Sequence, residues 1–336
     1  MSVTAFEGNK GRNTDMSRVK IGVVGCGGIA ALHMEHLRRR EDVDLVGCCD
    51  VDAERAEMLA ARYDVPVFKN SLALYDDTRP EAVYITVPPE AHGAVETEAA
   101  ARGIHLFIEK PIALELQTAR HIGAEIRKAG VLCSVGYCFR YCDSIHAAHQ
   151  LLKGKAVSLV SGACHGGMPG AHWWRKRARS GGQIVEQTTH LVDLVRYLCG
   201  PIAEVHAMAA RGCMSQVADY DVDDSTVLTM RLKTGAIACI SSTCVMRYSG
   251  RTFIEIVTPE LAVTFDGDVA RVHEDHRIVE HHNASDMYAN ETDAFIRALQ
   301  QGRRTGIRST YADALKTLRV TLAANDSIAT GMPVTI

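Results

Sequence analysis

Long apolar runs are missing from this sequence, and none approaches the roughly 18 residues that a helix needs to cross a bilayer. No membrane span is therefore expected. A dominant charge is missing as well: 37 Lys and Arg stand against 40 Asp and Glu, for a formal net charge of -3. That balance gives no reason to expect nucleic acid or an anionic membrane surface as a partner. Cysteine pairs at metal or redox spacing are absent too. Among the 11 cysteines no pair has the two-residue spacing of a zinc or redox site, because Cys138 and Cys142 have three residues between them and Cys239 and Cys244 have four. Scattered through apolar contexts such as Cys48, Cys49, Cys133, Cys164 and Cys239, they read as reduced thiols of a cytoplasmic protein with no metal site. Internal repeats and low-complexity tracts are also lacking. The first eighteen residues are polar, have no apolar signal core and contain a second methionine at Met16, so residues 1–18 are expected to be a disordered extension or an upstream start.

What remains is a chain of 336 residues, 47% apolar and 23% charged, which is globular in composition and long enough for two cores. From Val19 short apolar strands alternate with amphipathic helices. Strands are expected at Val19–Val24, Asp44–Cys49, Ala82–Val87, His105–Ile108 and Val131–Val135. Helices are expected at Ile29–Arg39, Ala53–Tyr63, His92–Arg102 and Leu116–Ala129. Continuously apolar strands in such alternation predict an α/β domain over 19–140, a doubly wound parallel sheet of the Rossmann type. The second half, 141–336, changes period. Strands at 156–164, 202–209, 225–232, 236–244, 252–258, 261–264 and 269–273 are joined in places by hairpin signals, Thr234-Gly235 and Asp266-Gly267. With helices near 144–152, 186–198, 285–300 and 311–330, this predicts an α+β domain carrying a large, mostly antiparallel open sheet.

The first strand runs into "VVGCGGIAALH", residues 23–33. Gly25-x-Gly27-x-x-Ala30 has the form of a dinucleotide loop. Gly25 permits the tight turn, Gly27 and Gly28 let the backbone approach a pyrophosphate, and the helix opened at Ile29 aims N–H groups at it. The second strand ends in Asp50, which suits the adenosine ribose hydroxyls and would repel a 2′-phosphate, so NAD is favoured over NADP. A plain polar strand end is the competing reading of Asp50, and Arg55 keeps NADP in play. Ligands of such sheets lie beyond the carboxyl ends of the strands, which places Thr86, Pro88 and His92 of "ITVPPEAH" beside the cofactor, although a capping turn would account for them too.

The next strand, "HLFI", ends in Glu109, Lys110 and Pro111. Together the glycine loop, the Pro-Pro-x-x-His segment, Glu-Lys-Pro and the antiparallel second domain resemble the Gfo/Idh/MocA oxidoreductases, the glucose-fructose oxidoreductase and inositol dehydrogenase relatives, over nearly the whole chain from Val19. The resemblance implies that Lys110 touches the reacting hydroxyl or carbonyl, where an ammonium stabilises a developing alkoxide. Glu109 would hold that lysine or the cofactor ribose, and Pro111, in a cis bond, would fix the turn. In "SGGQIVEQTTHLVDLVRYL", residues 180–198, Glu186 and His190 are four apart and Asp193 follows by three, which sets them on one helix face. The family carries an aspartate and a histidine at this spacing, so the resemblance assigns proton transfer to His190. Glu186 departs from the usual aspartate by one methylene, which leaves its partner open. On spacing alone, the same residues read as the polar edge of a packed helix. "GYCFRYC", residues 136–142, matches the family's interdomain segment and makes Tyr137 and Arg140 substrate-pocket candidates, with interdomain packing as the alternative.

"MPGAHWWRKRARSGG", residues 168–182, holds a concentrated basic run. His172, Trp173, Trp174 and Arg175 are expected near substrate, with a tryptophan stacked on a sugar face. The run itself reads either as a site for an anionic substituent or as a solvated or subunit-contacting loop. The expected function is NAD-dependent hydride transfer from a secondary hydroxyl of a sugar, glycoside or cyclic polyol, by a homodimer or homotetramer. Two other readings stand beside it. An NAD-dependent glycosidase that oxidises its sugar transiently would use the same residues, whereas a regulator would have no use for Lys110 and His190.

Overall fold

A computed structural model describes residues 18–336. The expectation of an N-terminal extension therefore falls, up to residue 17, outside the described residues. The first sheet is parallel and five-stranded, built from β1 (Val19–Val24), β2 (Val43–Cys49), β3 (Ala82–Ile85), β4 (His105–Ile108) and β5 (Cys133–Val135) in the order β2-β1-β3-β4-β5. Its central strands are buried on both faces, as β3 (AVYI) is throughout, because helices cover the sheet on either side. Those helices are α1 (Gly28–Arg38), α2 (Ala53–Tyr63), α3 (Ser71–Thr78), α4 (Ala94–Ala101) and α5 (Leu116–Ala129). The strand order reverses at β1, so the crevice between the ends of β1 and β3 is the ligand position of such a sheet.

Two local features depart from the sequence expectation. Helix α3 starts at Asn70, whose side chain accepts the Ala73 N–H at 2.9 Å; eight residues are too few for a helical period to emerge. The helix expected from His92 begins only at Ala94, because Pro89–Ala91 form a 3₁₀ turn and Gly93 adopts φ +147°.

The chain then crosses through α6 (Asp143–Leu152), β6 (Leu159–His165), α7 (Arg177–Ser180) and α8 (Thr189–Cys199) into β7 (Ile202–Ala210), β8 (Ser225–Leu232), β9 (Ile237–Thr243), β10 (Arg251–Val257), β11 (Ala262–Phe265), β12 (Val269–Glu274) and β13 (Arg277–His282). It ends with α9 (Met287–Gln301), α10 (Tyr311–Thr330) and β14 (Val334–Thr335). The nine-stranded sheet runs β13-β12-β11-β10-β6-β9-β8-β7-β14, antiparallel except where β6 pairs parallel to β9. One face packs on α6, α8 and α10; the other is open, which gives β8 its strict alternation of burial and exposure. Strand β13, mostly exposed at the sheet edge, offers no such alternation to a sequence reader.

The last helices return to the first sheet. Phe295 and Ile296 of α9 share a core with Ile21, Val23, Tyr84 and Phe107, and Tyr311, Ala314 and Leu318 of α10 pack with Val83, Ile108 and Ile122. Burial of a Phe or Ile side chain contributes about 1.5–3 kcal/mol, so these contacts tie the two sheets into one seam. The candidate site lies at that seam.

Candidate functional site

The glycine loop is shaped by its backbone. Gly25 has φ +88°, and a Cβ there would come within 2.7 Å of the Thr86 carbonyl oxygen. Thr86 returns the contact by donating its hydroxyl to the Gly25 carbonyl at 2.7 Å. At Gly27 and Gly28, by contrast, an added Cβ would meet nothing within 4 Å. The space above the loop is open, and it faces the start of α1, a helix with no side-chain cap and no acidic residue in its first turn. Uncapped N–H groups beside open space fit a pyrophosphate. Asp50 stands at the end of β2, where its oxygens accept the Cys26 N–H at 2.7 Å and the Asp52 N–H at 2.8 Å. A carboxylate has further lone pairs, so it can hold the loop and still accept ribose hydroxyls. Arg55 lies 3.8 Å from Asp50. The half-exposed Ile29 and Pro88 border the same crevice, while Thr86 is buried. His92 is also buried, with its Nδ1 2.5 Å from Glu96, so the histidine expected beside the cofactor is instead taken up at the start of α4.

At the end of β4, Glu109 and Lys110 point in different directions. The Glu109 carboxylate turns inward, where Oε1 lies 2.8 Å from His33 Nε2 and Oε2 accepts the Lys110 backbone N–H at 3.1 Å. Gly136 makes room for it, since a Cβ there would sit 2.6 Å from Oε1. The Lys110–Pro111 peptide is cis. Lys110 Nζ reaches across the seam and donates to Glu186 Oε1 at 2.7 Å and to the Glu186 carbonyl at 3.0 Å. An ammonium has three donors, so one remains for a substrate oxygen. Burial works against the charge on Lys110, but Glu186 and then Glu109 outweigh it and raise its pKa.

Glu186 and His190 do not share one regular helix. Residues Ile184–Thr188 form a π turn, and α8 begins only at Thr189. A π turn, which recurs at functional sites, lets Glu186 face Lys110. Its other oxygen accepts Trp174 Nε1–H at 2.8 Å. His190 packs edge-on to Tyr137, with ring centroids 6.0 Å apart, and against Phe139 at 5.2 Å; its Nδ1 is buried without a partner. Burial, and secondarily the Lys110 ammonium, hold its pKa well below the ordinary imidazole value of 6.5. The neutral base is therefore the resident form near neutral pH.

Other expectations need correction. Arg140 does not reach a pocket: it is buried, and its guanidinium donates to Asp193 at 2.6 Å twice, to Asp313 at 2.6 Å and to the Arg308 carbonyl at 2.6 Å. Tyr137 is buried beneath the site with its hydroxyl 3.0 Å from Thr189 Oγ1. Trp174, only 1% exposed, cannot stack on a sugar; it holds Glu186, and the half-buried Trp173 is the tryptophan with a face to offer. His172 is exposed. In the basic run Lys176 pairs with Asp219, Arg177 with Asp223 and Arg179 with Glu90, which leaves Arg175 as its one cation without a carboxylate among the described residues. The run is largely neutralised, which weakens the case for an anionic substituent.

Sequence reasoning missed His33, which lies in the quoted loop segment, and Glu291 on α9. Both are buried, and together with Glu109 they place three ligand-type atoms within 4.8 Å of one another. Only tertiary packing unites them.

Comparison with known proteins bears out the resemblance. Residues 19–137 match the model of an oxidoreductase family with an NAD-binding Rossmann fold, and residues 147–288 match the GFO/IDH/MocA C-terminal domain. The chain belongs to the Gfo/Idh/MocA family and is an NAD-binding oxidoreductase. Among its relatives, scyllo-inositol 2-dehydrogenase (NAD(+)) of Bacillus subtilis is 24% identical, covering 94% of this chain and 96% of the relative. D-glucoside 3-dehydrogenase of Escherichia coli is 23% identical over 76% of each. The crystal structure of GenD2 from gentamicin A biosynthesis in complex with NAD aligns with a TM-score of 0.83 at 24% identity, covering 98% of this chain and 99% of that one.

Proposed function

We propose that the protein oxidises a secondary hydroxyl of a cyclic polyol, sugar or glycoside with NAD. The observation that carries this reading is the spare donor on Lys110 Nζ, held by Glu186 close enough to His190 for its charge to act on that imidazole, whose Nδ1 has no partner. NAD, when bound, supplies the hydride acceptor; Gly25, Gly27, Gly28, Asp50 and the start of α1 would hold it. Lys110 donates to the substrate oxygen and stabilises negative charge as it develops there. His190, neutral because of burial and the adjacent ammonium, accepts the hydroxyl proton. Glu186 keeps the ammonium charged and aimed, and Trp174 keeps Glu186 in place. The names of the inositol and glucoside dehydrogenase relatives support this substrate class.

The open sheet face supports self-association. Leu159, Val227 and Ile237 are 40%, 45% and 50% exposed there, beside Cys239, and an apolar sheet face of this kind is a contact surface for a second copy of the chain. The test of function is NADH formation by the purified protein with NAD and a panel of inositols, aldoses and glucosides. Stoichiometric NADH with a member of the panel, lost in Lys110→Ala, supports the reading. No NADH with any of them, from protein that still binds NAD, overturns it.

A further inference from the structure

Behind Lys110 lies a second polar cluster that the proposed reaction does not use. His33 of α1, Glu109 at the end of β4 and Glu291 of α9 converge in the core, their ligand-type atoms all within 4.8 Å of one another. Glu291 is fully buried, and neither of its carboxyl oxygens has a hydrogen-bond partner. Glu109 has two partners: His33 Nε2 lies 2.8 Å from Oε1, and Oε2 accepts the Lys110 N–H at 3.1 Å. Two carboxylates this close in a dry core cannot both remain ionised without a cation between them.

A metal ion would be one such cation, but the surroundings argue against it. A ligating imidazole normally anchors its other nitrogen on an acceptor, and His33 Nδ1 is buried with none. The cluster also supplies only three donors among the described residues. The groups that face Glu291 are His33 from α1, Tyr84 from β3, Glu109 from β4, Cys138 and Tyr141 from the turn after β5, and Asp286 and Tyr288 from its own helix. None is a lysine or arginine, and the Lys110 ammonium is directed away, to Glu186.

We propose that Glu109 and Glu291 form a carboxylate pair that carries a single proton, and that Glu291, which holds it, is a positioning residue for Glu109 and through it for Lys110. The division follows from the partners: Glu109, as the anion, takes the Lys110 N–H and an Nε2–H of His33, whereas neither oxygen of Glu291 has a donor to stabilise charge on it. Burial, then Glu109, then Asp286 all push the Glu291 carboxyl well above its usual range. With Glu291 neutral, Glu109 keeps both His33 and the Lys110 N–H, and so fixes the turn from which the lysine projects. A second anion would compete for His33 and loosen that turn.

The role at Lys110 rests on the proposed function, but the protonation state can be tested without it. Glu291→Gln keeps the shape of the neutral acid and cannot ionise; Glu291→Ala removes it. A carboxyl raised in the folded state lends stability that is present below its unfolded value of 4.5 and is lost as pH rises towards the folded one. Glu291→Gln is therefore expected to melt like the wild type below about pH 4.5 and above it at higher pH, with a gap that widens as pH rises. With a turned-over substrate, Glu291→Gln should keep kcat within roughly twofold, whereas Glu291→Ala should lose about tenfold or more, mainly in kcat rather than in the KM for NAD. A Glu291→Gln protein that melts below the wild type by a pH-independent margin overturns the proposal, as does loss of kcat equal to that of Glu291→Ala. One equivalent of a transition metal in elemental analysis of the protein as isolated would also overturn it and make the cluster a cation site. Should no substrate be found, the proposed function fails while the melting profiles still decide who holds the proton.

Discussion

Two charged networks cross the seam between the sheets, and they differ in how completely they are closed. Around Arg140 every acceptor has its donor. Asp193 binds the guanidinium through both oxygens and takes the Thr317 hydroxyl at 2.8 Å, and Arg196 donates to Asp313 at 2.9 Å. Burial pushes the Asp313 carboxyl up, but Arg140 and Arg196 outweigh it and bring it down to about 2. Around Lys110 the network is open: one ammonium donor is spare and the His190 Nδ1 has no partner. A satisfied buried network fixes structure, whereas unfilled hydrogen-bonding capacity beside a crevice is where a substrate would complete it. Arginine and lysine in neighbouring segments of one seam thus have opposite tasks.

The sharpest way to break this comparison is to truncate each network once. Lys110→Ala is expected to lower kcat by about 10²–10⁴, the usual contribution of a positioned proton-transfer or charge-stabilising group. Its urea midpoint should move less than that of the arginine network, because Glu186 keeps the Trp174 Nε1–H when the lysine is gone. Asp193→Ala should do the reverse. It takes from a buried guanidinium the carboxylate that accepts two of its hydrogen bonds and leaves it only Asp313 and the Arg308 carbonyl, a loss of up to about 3–5 kcal/mol, visible as an early urea transition, while the molecules that remain folded keep their turnover per site. Equal loss of stability in both variants would erase the distinction.

A smaller effect sharpens it through pH. Because the His190 pKa lies well below 6.5, the neutral imidazole persists on acidification, and the acid limb of kcat/KM for substrate oxidation should lie below pH 6.5 rather than at it. The same sign applies to stability: what the neutral ring contributes is present above 6.5 and is lost as pH falls through the folded value. Lys110 is the second cause of the depression, so in Lys110→Met the His190 titration followed by NMR should move up towards 6.5. An unmoved titration would mean that the ammonium and the imidazole do not share a site.

How far the sequence discloses this arrangement depends on whether its logic is local. The glycine loop, the strand-end positions of Asp50 and Lys110 and the parallel sheet are legible because a strand, a tight turn and a helix follow one another within a few residues, and a buried parallel strand must be apolar throughout; the role expected of Lys110 comes from the family resemblance. The tasks of Arg140, Trp174 and His92 were misjudged for one reason: each finds its acceptor through tertiary contact, in Asp193, Glu186 and Glu96 respectively. Arg140 and Asp193 are 53 residues apart, and no period links them. The π turn at Ile184–Thr188 was invisible because a one-residue widening leaves the apolar pattern of α8 intact. Glu291 sits on an amphipathic helix among polar residues such as Asn290 and Asp293, and only the fold shows that its position faces inward.

The smallest expected effect separates two glycines of the same loop. Gly25 is required by the fold, since a side chain there would adopt φ +88° and strike the Thr86 backbone, so Gly25→Ala should cost about 1–3 kcal/mol of stability. Gly27 has ordinary φ, -78°, and an added methyl would touch no protein atom within 4 Å. Its glycine is therefore not explained by the protein's own packing. If the open space belongs to a pyrophosphate, Gly27→Ala should fold with an unchanged melting temperature and bind NAD roughly tenfold more weakly, about 1.4 kcal/mol, as read by calorimetric titration. Affinity equal to the wild type would mean that the phosphates do not approach the loop at this point. A fall in both affinity and melting temperature would instead show that Gly27, like Gly25, serves the turn itself.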